Sequence, residues 1–419
     1  MAPLSPQIKR RTIGIVCLTV FLDLLGVGIL LPVIPQIINP ITSLNILPAG
    51  WSAAQGAILL GWLTALYPIC QFIAAPLLGQ LSDRYGRRLL LVVSLAGTAV
   101  GYALFAIGLI THNIPLLFVA RVIQGLTGGD IAVAQAVIAD VSSEHDRAKY
   151  FGWAGAAFGL GFILGPFLGG ALTDTRIAGG LGLAAPFWFA AVLLFIDVIL
   201  VWLLLPETRS APSRAGIRIG RSITQIRTAF TAPGIKDIMP STFFFMAGFT
   251  GFTTFIGLIL LHDYALSPIQ VGLYFVYFGV WIALIQGVLA GILAKRYRDI
   301  QILRLSMIAT AVGLLGYIFI PNNLPLLLLV PPPIIALGNG LTLAFMATTL
   351  SRLAPPHKYG EVLGINASVM ALAQGIPAAL AGYMYTINRV TLILVSVVVI
   401  IWAIVSLWIN FRSTPFSRL

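Results

Sequence analysis

Charge is what this chain has least of. Asp, Glu, Lys and Arg make up 9% of its 419 residues, against about 25% in a water-soluble domain. So few charges cannot cover a surface that faces water, so most of the chain must have lipid as its solvent. Cysteine is nearly absent as well. Cys17 and Cys70 both lie inside apolar runs, which leaves no disulfide framework and no cluster of metal ligands. No Walker loop, HExxH or GxSxG sequence occurs, so nothing supports ATP-driven transport or hydrolysis within a membrane. We therefore expect no enzyme activity, no cofactor and no metal. Short alternating strands are missing too, which excludes a membrane barrel. The net charge of +12 would suit nucleic acid. The basic residues, however, sit between apolar stretches and form no patch interleaved with aromatics, so no nucleic-acid partner is expected.

Long apolar runs are what the chain does have. It is 59% hydrophobic, and a helix needs roughly 20 mostly apolar residues to cross a bilayer. Twelve stretches qualify: 12–38, 54–79, 89–111, 114–140, 148–173, 186–205, 238–262, 268–294, 300–320, 324–351, 359–385 and 389–411. Lys9, Arg10 and Arg11 precede the first run as in a secretory signal. That run continues to about Ile38, too far for a signal core of about 7–15 residues, so it reads as a first span that is kept. All but three of the 25 basic residues fall in segments that would lie on one side of the membrane. The other side has only Arg176 and Arg389, and Arg121 lies within a span. This bias predicts that both termini are cytoplasmic.

The stretch from Pro206 to Lys236 is rich in Arg, Ser, Thr and Pro and interrupts the hydrophobic pattern. It divides the chain into a six-helix half at 1–205, a cytoplasmic loop at 206–236 and a second six-helix half at 237–419 with a short tail. A faint repeat links the halves. At an offset of 212, Gly79, Arg84 and Tyr85 fall on Gly291, Arg296 and Tyr297, Gly128 on Gly340, and Gly152 on Gly364, while Asp140 faces Arg352. Repeated halves are how many secondary transporters build two gates around one central site.

The loop after the second stretch reads Gly79-Gln-Leu-Ser-Asp83-Arg84-Tyr-Gly86-Arg87-Arg88. It places opposite charges at a junction between helices, where they can lock two helices in one state and release them in another. Arginines alone would serve to anchor the loop on the cytoplasmic side; Asp83 and Gly86 are not needed for that. In the fifth stretch, Gly155 through Gly170 reads GAAFGLGFILGPFLGG, with glycines at 155, 159, 161, 165, 169 and 170 and Pro166 among them. Positions 161, 165 and 169 step by four and make one smooth stripe, which lets two backbones approach closely in lipid. We expect the stripe to help seal the two halves on the outer side.

These residues carry a resemblance. The loop at 79–88 looks like the signature loop of the major facilitator superfamily. Arg121-Val-Ile-Gln-Gly125 resembles a motif of its proton-coupled drug antiporters, and 155–170 is similar to their antiporter motif. Leu25-Gly-Val-Gly-Ile-Leu-Leu-Pro32-Val-Ile-Pro35 completes the set. Within the superfamily, residues 12–208 are most similar to the tetracycline/proton antiporters. The resemblance implies the major facilitator fold, an all-α membrane protein with twelve transmembrane helices in two pseudo-symmetric halves. It also implies that Asp140 joins the charge network of Gly79, Asp83, Arg84, Gly86, Arg87 and Arg88, and that Gln71 and Gln124 face substrate. Three positions depart from the tetracycline pattern. Gly101 and Thr310 stand where those antiporters have acids, and Ile282 where they have a histidine.

An ionisable residue inside a span is costly and marks function by default. Asp23 lies near the middle of the first stretch, with no base within a helical turn, which suits a proton carrier. Arg121 lies a turn or two into the fourth stretch, and Asp130 follows nine residues later. On a straight helix those two point to opposite faces, so only one can face a central cavity unless the glycines between them bend the helix. Asp197 reads more readily as a structural hydrogen-bonding residue. The second half has no central acid or base. It offers aromatics, among them Phe249, Tyr277 and Trp281, and neutral amides, among them Gln286 and Asn339. Such a wall suits a bulky amphipathic substrate, although rings facing lipid would read the same way. Asn366-Ala-Ser368 matches a glycosylation sequon but lies inside a span.

The sequence therefore points to a proton-coupled exporter of a small amphipathic compound in a plasma or bacterial inner membrane. Its partners would be substrate, protons and lipid, and we expect a monomer. Two other readings stay open: a facilitator or symporter for a sugar, lipid or other nutrient, and a transport-inactive sensor on the same fold.

Overall fold

The computed structural model describes residues 6–37, 46–48, 50–142, 144–173, 179–208, 220–233, 235–353 and 359–411. Among them there is no strand, and twelve helices are long and apolar enough to cross a membrane. They are Gln7–Ile37, Ala53–Tyr85, Arg87–Ile110, Ile114–Val141, Lys149–Leu172, Leu181–Leu204, Met239–His262, Pro268–Ala294, Asp299–Phe319, Pro325–Leu350, Gly364–Ile387 and Arg389–Asn410, called the first to twelfth spans below. Each sits within a few residues of its apolar stretch. The match is close because lipid cannot hydrogen-bond a backbone, so an apolar run of this length closes its own bonds as a helix. Helix ends carry local signals. Asn113 caps the fourth span by accepting the Leu116 N–H at 3.1 Å. Asn388 caps the twelfth by accepting the Thr391 N–H at 2.7 Å. Gly86, at φ 103°, makes the turn between the second and third spans that an L side chain would resist.

Two spans depart from the regular α-helix in their interior. The fourth consists of two helices, Ile114–Thr127 and Asp130–Val141. The eighth contains a π turn at Ile285–Leu289, a feature frequent at functional sites. A surface helix at Arg221–Thr231 follows the sixth span.

The chain forms two compact units. One comprises Met1–Ala49, Leu66–Arg221 and Pro268–Gly272; the other comprises Gly50–Ala65, Ser222–Ser267 and Leu273–Leu419. In the first unit the first span packs on the fifth and sixth, and the third on the fourth and sixth. In the second the seventh packs on the eleventh and twelfth, and the ninth on the tenth and twelfth. Shifting every span number by six turns one list into the other, so the repeat faint in sequence recurs in packing. The start of the second span belongs with the second unit, where a methyl group added at Gly61 would stand 2.8 Å from the Ala378 carbonyl oxygen.

Candidate functional site

The site in the first unit is built on the break in the fourth span. Two successive glycines, Gly128 and Gly129, interrupt the helix, and each packs where a side chain would not fit. A methyl group at Gly129 would stand 2.5 Å from Leu78, and one at Gly128 would stand 3.0 Å from the Tyr67 hydroxyl. The carbonyl freed at Gly128 does not go unsatisfied. The Gln71 side-chain amide, from the second span, donates to it at 2.6 Å, and also reaches the Tyr67 hydroxyl at 3.2 Å. Helix resumes at Asp130, so that carboxylate stands at the positive end of a new helix, among free backbone N–H groups.

Broken this way, the span turns Asp130 back into the protein. Asp130 is 1% exposed, Asp23 3% and Asp197 0%. The carboxyl groups of Asp23 and Asp130 lie within hydrogen-bonding reach of each other. Asp197, from the sixth span, stands beside Thr19 and near both other acids. Tyr67 and Tyr102 border the pair. Arg121 is also buried; it donates from Nη1 to Gln124 Oε1 at 2.9 Å and lies 5.1 Å over the Phe105 ring. The straight-helix projection, which set Arg121 and Asp130 on opposite faces, thus does not hold here. Both side chains are buried in the first unit because the helix is not continuous between them. Apart from this mutual approach, both oxygens of Asp130 and one of Asp23 are buried without a hydrogen-bond partner among the described residues. Two carboxyl groups in contact away from water cannot both stay charged at acceptable cost.

The signature loop forms a second cluster. The Arg87 guanidinium is 2.7 Å from Asp83 Oδ1 and 3.1 Å from Asp140 Oδ2, and donates to Ser82 Oγ at 2.6 Å. The other arginines do different work. Arg88 donates to the Trp202 carbonyl and lies 4.8 Å over its ring, and Arg84 lies over Tyr85 at the surface. Gly79 has open space around it. One acid that the motif reading missed belongs here. Glu207, just past the sixth span, accepts the backbone N–H groups of Arg87 at 2.9 Å and Arg88 at 3.2 Å. The only sequence signal was an acid directly after Pro206 where the apolar run ends.

The glycine stripe has a partner other than the expected one. Methyl groups at Gly161, Gly165 and Gly169 would run into the carbonyls of Phe21, Leu25 and Ile29. Positions 161, 165 and 169 therefore bed on the first span of their own half, while the contact with the second six-helix half falls to their neighbours Gly170 and Pro166. Gly170 and Pro166 meet the opening turn of the eighth span at Pro268 and Gly272, which belongs to the same unit. Gly155 and Gly159 face open space.

The remaining candidates scatter. Gln71 and Gln124 are engaged with backbone and with Arg121. In the second unit, Phe249 lines a small cleft with Phe252, Tyr274, Phe278 and Tyr317. Tyr277 donates to the Leu329 carbonyl at 3.1 Å and packs edge-on to Trp281, which is half-exposed. Gln286 lies in the π turn beside Gly340, and Asn339 is buried with its carbonyl oxygen unpartnered among the described residues. At Gly101, one of the departures from the tetracycline pattern, an added methyl group would stand 2.4 Å from Gln124 Cγ, so a larger side chain there requires Gln124 to move.

Known proteins agree with this architecture. The Major Facilitator Superfamily profile matches residues 16–376 and 238–418. The class C tetracycline resistance protein of Escherichia coli is 32% identical over 356 residues, covering 84% of each chain. The class E protein of the same organism is 31% identical over 392 residues, covering 91% of this chain and 90% of the relative. Among solved structures, the human organic anion transporter MFSD10 superposes with a TM-score of 0.72 at 22% identity, over 96% of this chain and 100% of the other. A D-xylose–proton symporter superposes with 0.74 at 17% identity, over 96% and 98%. Twelve membrane-length helices, repeated packing in two units and these matches make the chain a multi-pass transporter that belongs to the major facilitator superfamily.

Proposed function

We propose that this transporter exports a small amphipathic compound in exchange for protons, by alternating access, with both termini on the cytoplasmic side of the cell membrane. The observation that carries the reading is the contact between Asp23 and Asp130. One proton on that pair lowers its negative charge by one, and one cationic substrate group near it offsets the same charge; a site that cannot hold both exchanges them. Asp130 heads a helix whose N–H groups favour an anion, whereas Asp23 is mid-helix, so we assign the exchangeable proton to Asp23. Relatives named for tetracycline resistance support efflux, and Gly101 and Ile282 argue for a compound other than tetracycline. Adding substrate to proteoliposomes tests the direction of coupling. Under antiport, substrate entry drives protons out of the vesicle; proton entry alongside substrate would establish symport and overturn the proposal.

The same competition sets a pH dependence. Protonating the pair lowers its negative charge, so a cationic or zwitterionic substrate should bind more weakly as pH falls. Titrations of purified protein at two pH values check the sign, and tighter binding at the acid value would refute it. The break in the fourth span yields a further expectation. Gln71→Leu leaves the buried Gly128 carbonyl unpaired, at a cost of about 1–3 kcal/mol, and loosens the placement of Asp130. Proton-driven transport should drop by roughly tenfold while the protein still elutes as a folded species. Unchanged transport would mean that Gln71 does not hold the break.

A further inference from the structure

The start of a helix exposes free N–H groups and favours negative charge. The third span begins with the wrong sign, Arg87 followed by Arg88. The carboxylate that receives their N–H groups comes from Glu207, about 120 residues away along the chain. Gly86 makes room for it: beyond its φ of 103°, a methyl group there would stand 2.8 Å from the Glu207 carboxyl carbon. The next residue, Thr208, reaches the same cluster, its hydroxyl donating to Asp140 Oδ2 at 3.4 Å.

The second unit supplies an internal comparison. At the offset of 212, Asp83 falls on Lys295, Arg87 on Asp299 and Asp140 on Arg352, which inverts these three charges. The ion pair is nevertheless kept: Arg352 Nη1 lies 3.0 Å from Asp299 Oδ2, as Arg87 Nε lies 3.1 Å from Asp140 Oδ2. With the polarity reversed, the ninth span starts on its own acid, Asp299, and its opening N–H at Arg298 is taken by Gln301 at 3.3 Å.

We infer that Glu207 is a positioning residue of the signature loop, supplying from beyond the sixth span the negative charge that the third span lacks because a base opens it. The inference rests on reading the loop as a gate, so thermal melting of purified protein is measured beside transport. Glu207→Gln should lower both the melting temperature and the transport rate, the latter by roughly tenfold, and Glu207→Asp should restore most of the loss. The decisive variant is Asp83→Lys/Arg87→Asp/Asp140→Arg, which gives the first unit the charges of the second. In that background Glu207 faces an acid, so Glu207→Gln should become neutral or stabilising. Should the triple variant not fold, Arg88→Gln takes its place. Removing one base at the helix start should then at least halve the melting shift caused by Glu207→Gln. An equal loss in both backgrounds, or no loss in the native one, overturns the inference. A melting shift of the expected sign without a transport defect would sustain the capping role and sink the gate instead.

Discussion

Asp23→Asn should abolish proton-driven accumulation of substrate, reducing uptake into proteoliposomes to passive leak. The amide keeps the size of the carboxyl group and can donate to Asp130, so the packing of the first and fourth spans should survive. It cannot gain or lose a proton, so the exchange between proton and substrate loses its carrier. Binding measured without a gradient should persist in part, because Asp130 keeps one negative charge in the site. The two measurements separate a coupling defect from a folding defect. A variant that still concentrates substrate against its gradient under an imposed pH difference would place the carrier elsewhere, with Asp197 the next buried acid to test.

A second large effect is expected at the seam between the first and fifth spans. A methyl group at Gly165 would stand 2.5 Å from the Leu25 carbonyl oxygen and 2.8 Å from the Gly28 Cα. These are backbone atoms, which cannot swing aside as a side-chain tip can. Overpacking an interior usually costs about 1–3 kcal/mol, and Gly165→Val presses two methyl groups beyond its Cβ against a helix backbone. We expect loss of folded, monodisperse protein from the membrane and loss of transport with it. Gly159→Ala is the control, since Gly159 has nothing within 4 Å of an added methyl group; it should leave yield and melting unchanged. Normal yield and transport for Gly165→Val would show that the seam can open without consequence. Because the first span also carries Asp23, a seam that yields a little would displace the proton site before it unfolds the protein, so intermediate substitutions such as Gly165→Ala should impair transport more than melting.

Hydropathy, which depends on each residue and its neighbours along the chain, was enough to locate twelve spans to within a few residues. The expected edges missed mainly where helices run on past the apolar stretch, as the second does to Tyr85. The signature loop and the glycine stripe were legible for the same reason: their chemistry is carried by residues a few positions apart. Partners were not legible. The stripe announced a close contact, but only the packed chain showed that the contact is with Phe21, Leu25 and Ile29. Asp130 gave no sequence sign of its partner, because a straight-helix projection assumes a continuous helix. The break depends on Gln71, 57 residues away, satisfying the carbonyl that the glycines release. Glu207 lay outside the motif it completes, about 120 residues along the chain from the N–H groups it receives.

What the sequence by itself determined, then, is the solvent, the number of spans, the repeat and the kinds of group at the site. Each of these follows from transfer energies and helical periodicity that act locally. Tertiary structure decided which ionisable groups meet: Asp23 with Asp130, Arg87 with Asp140, Asp299 with Arg352. A charge away from water is stable only beside a partner, and that partner comes from whichever helix packs alongside, at a distance along the chain that no local pattern records.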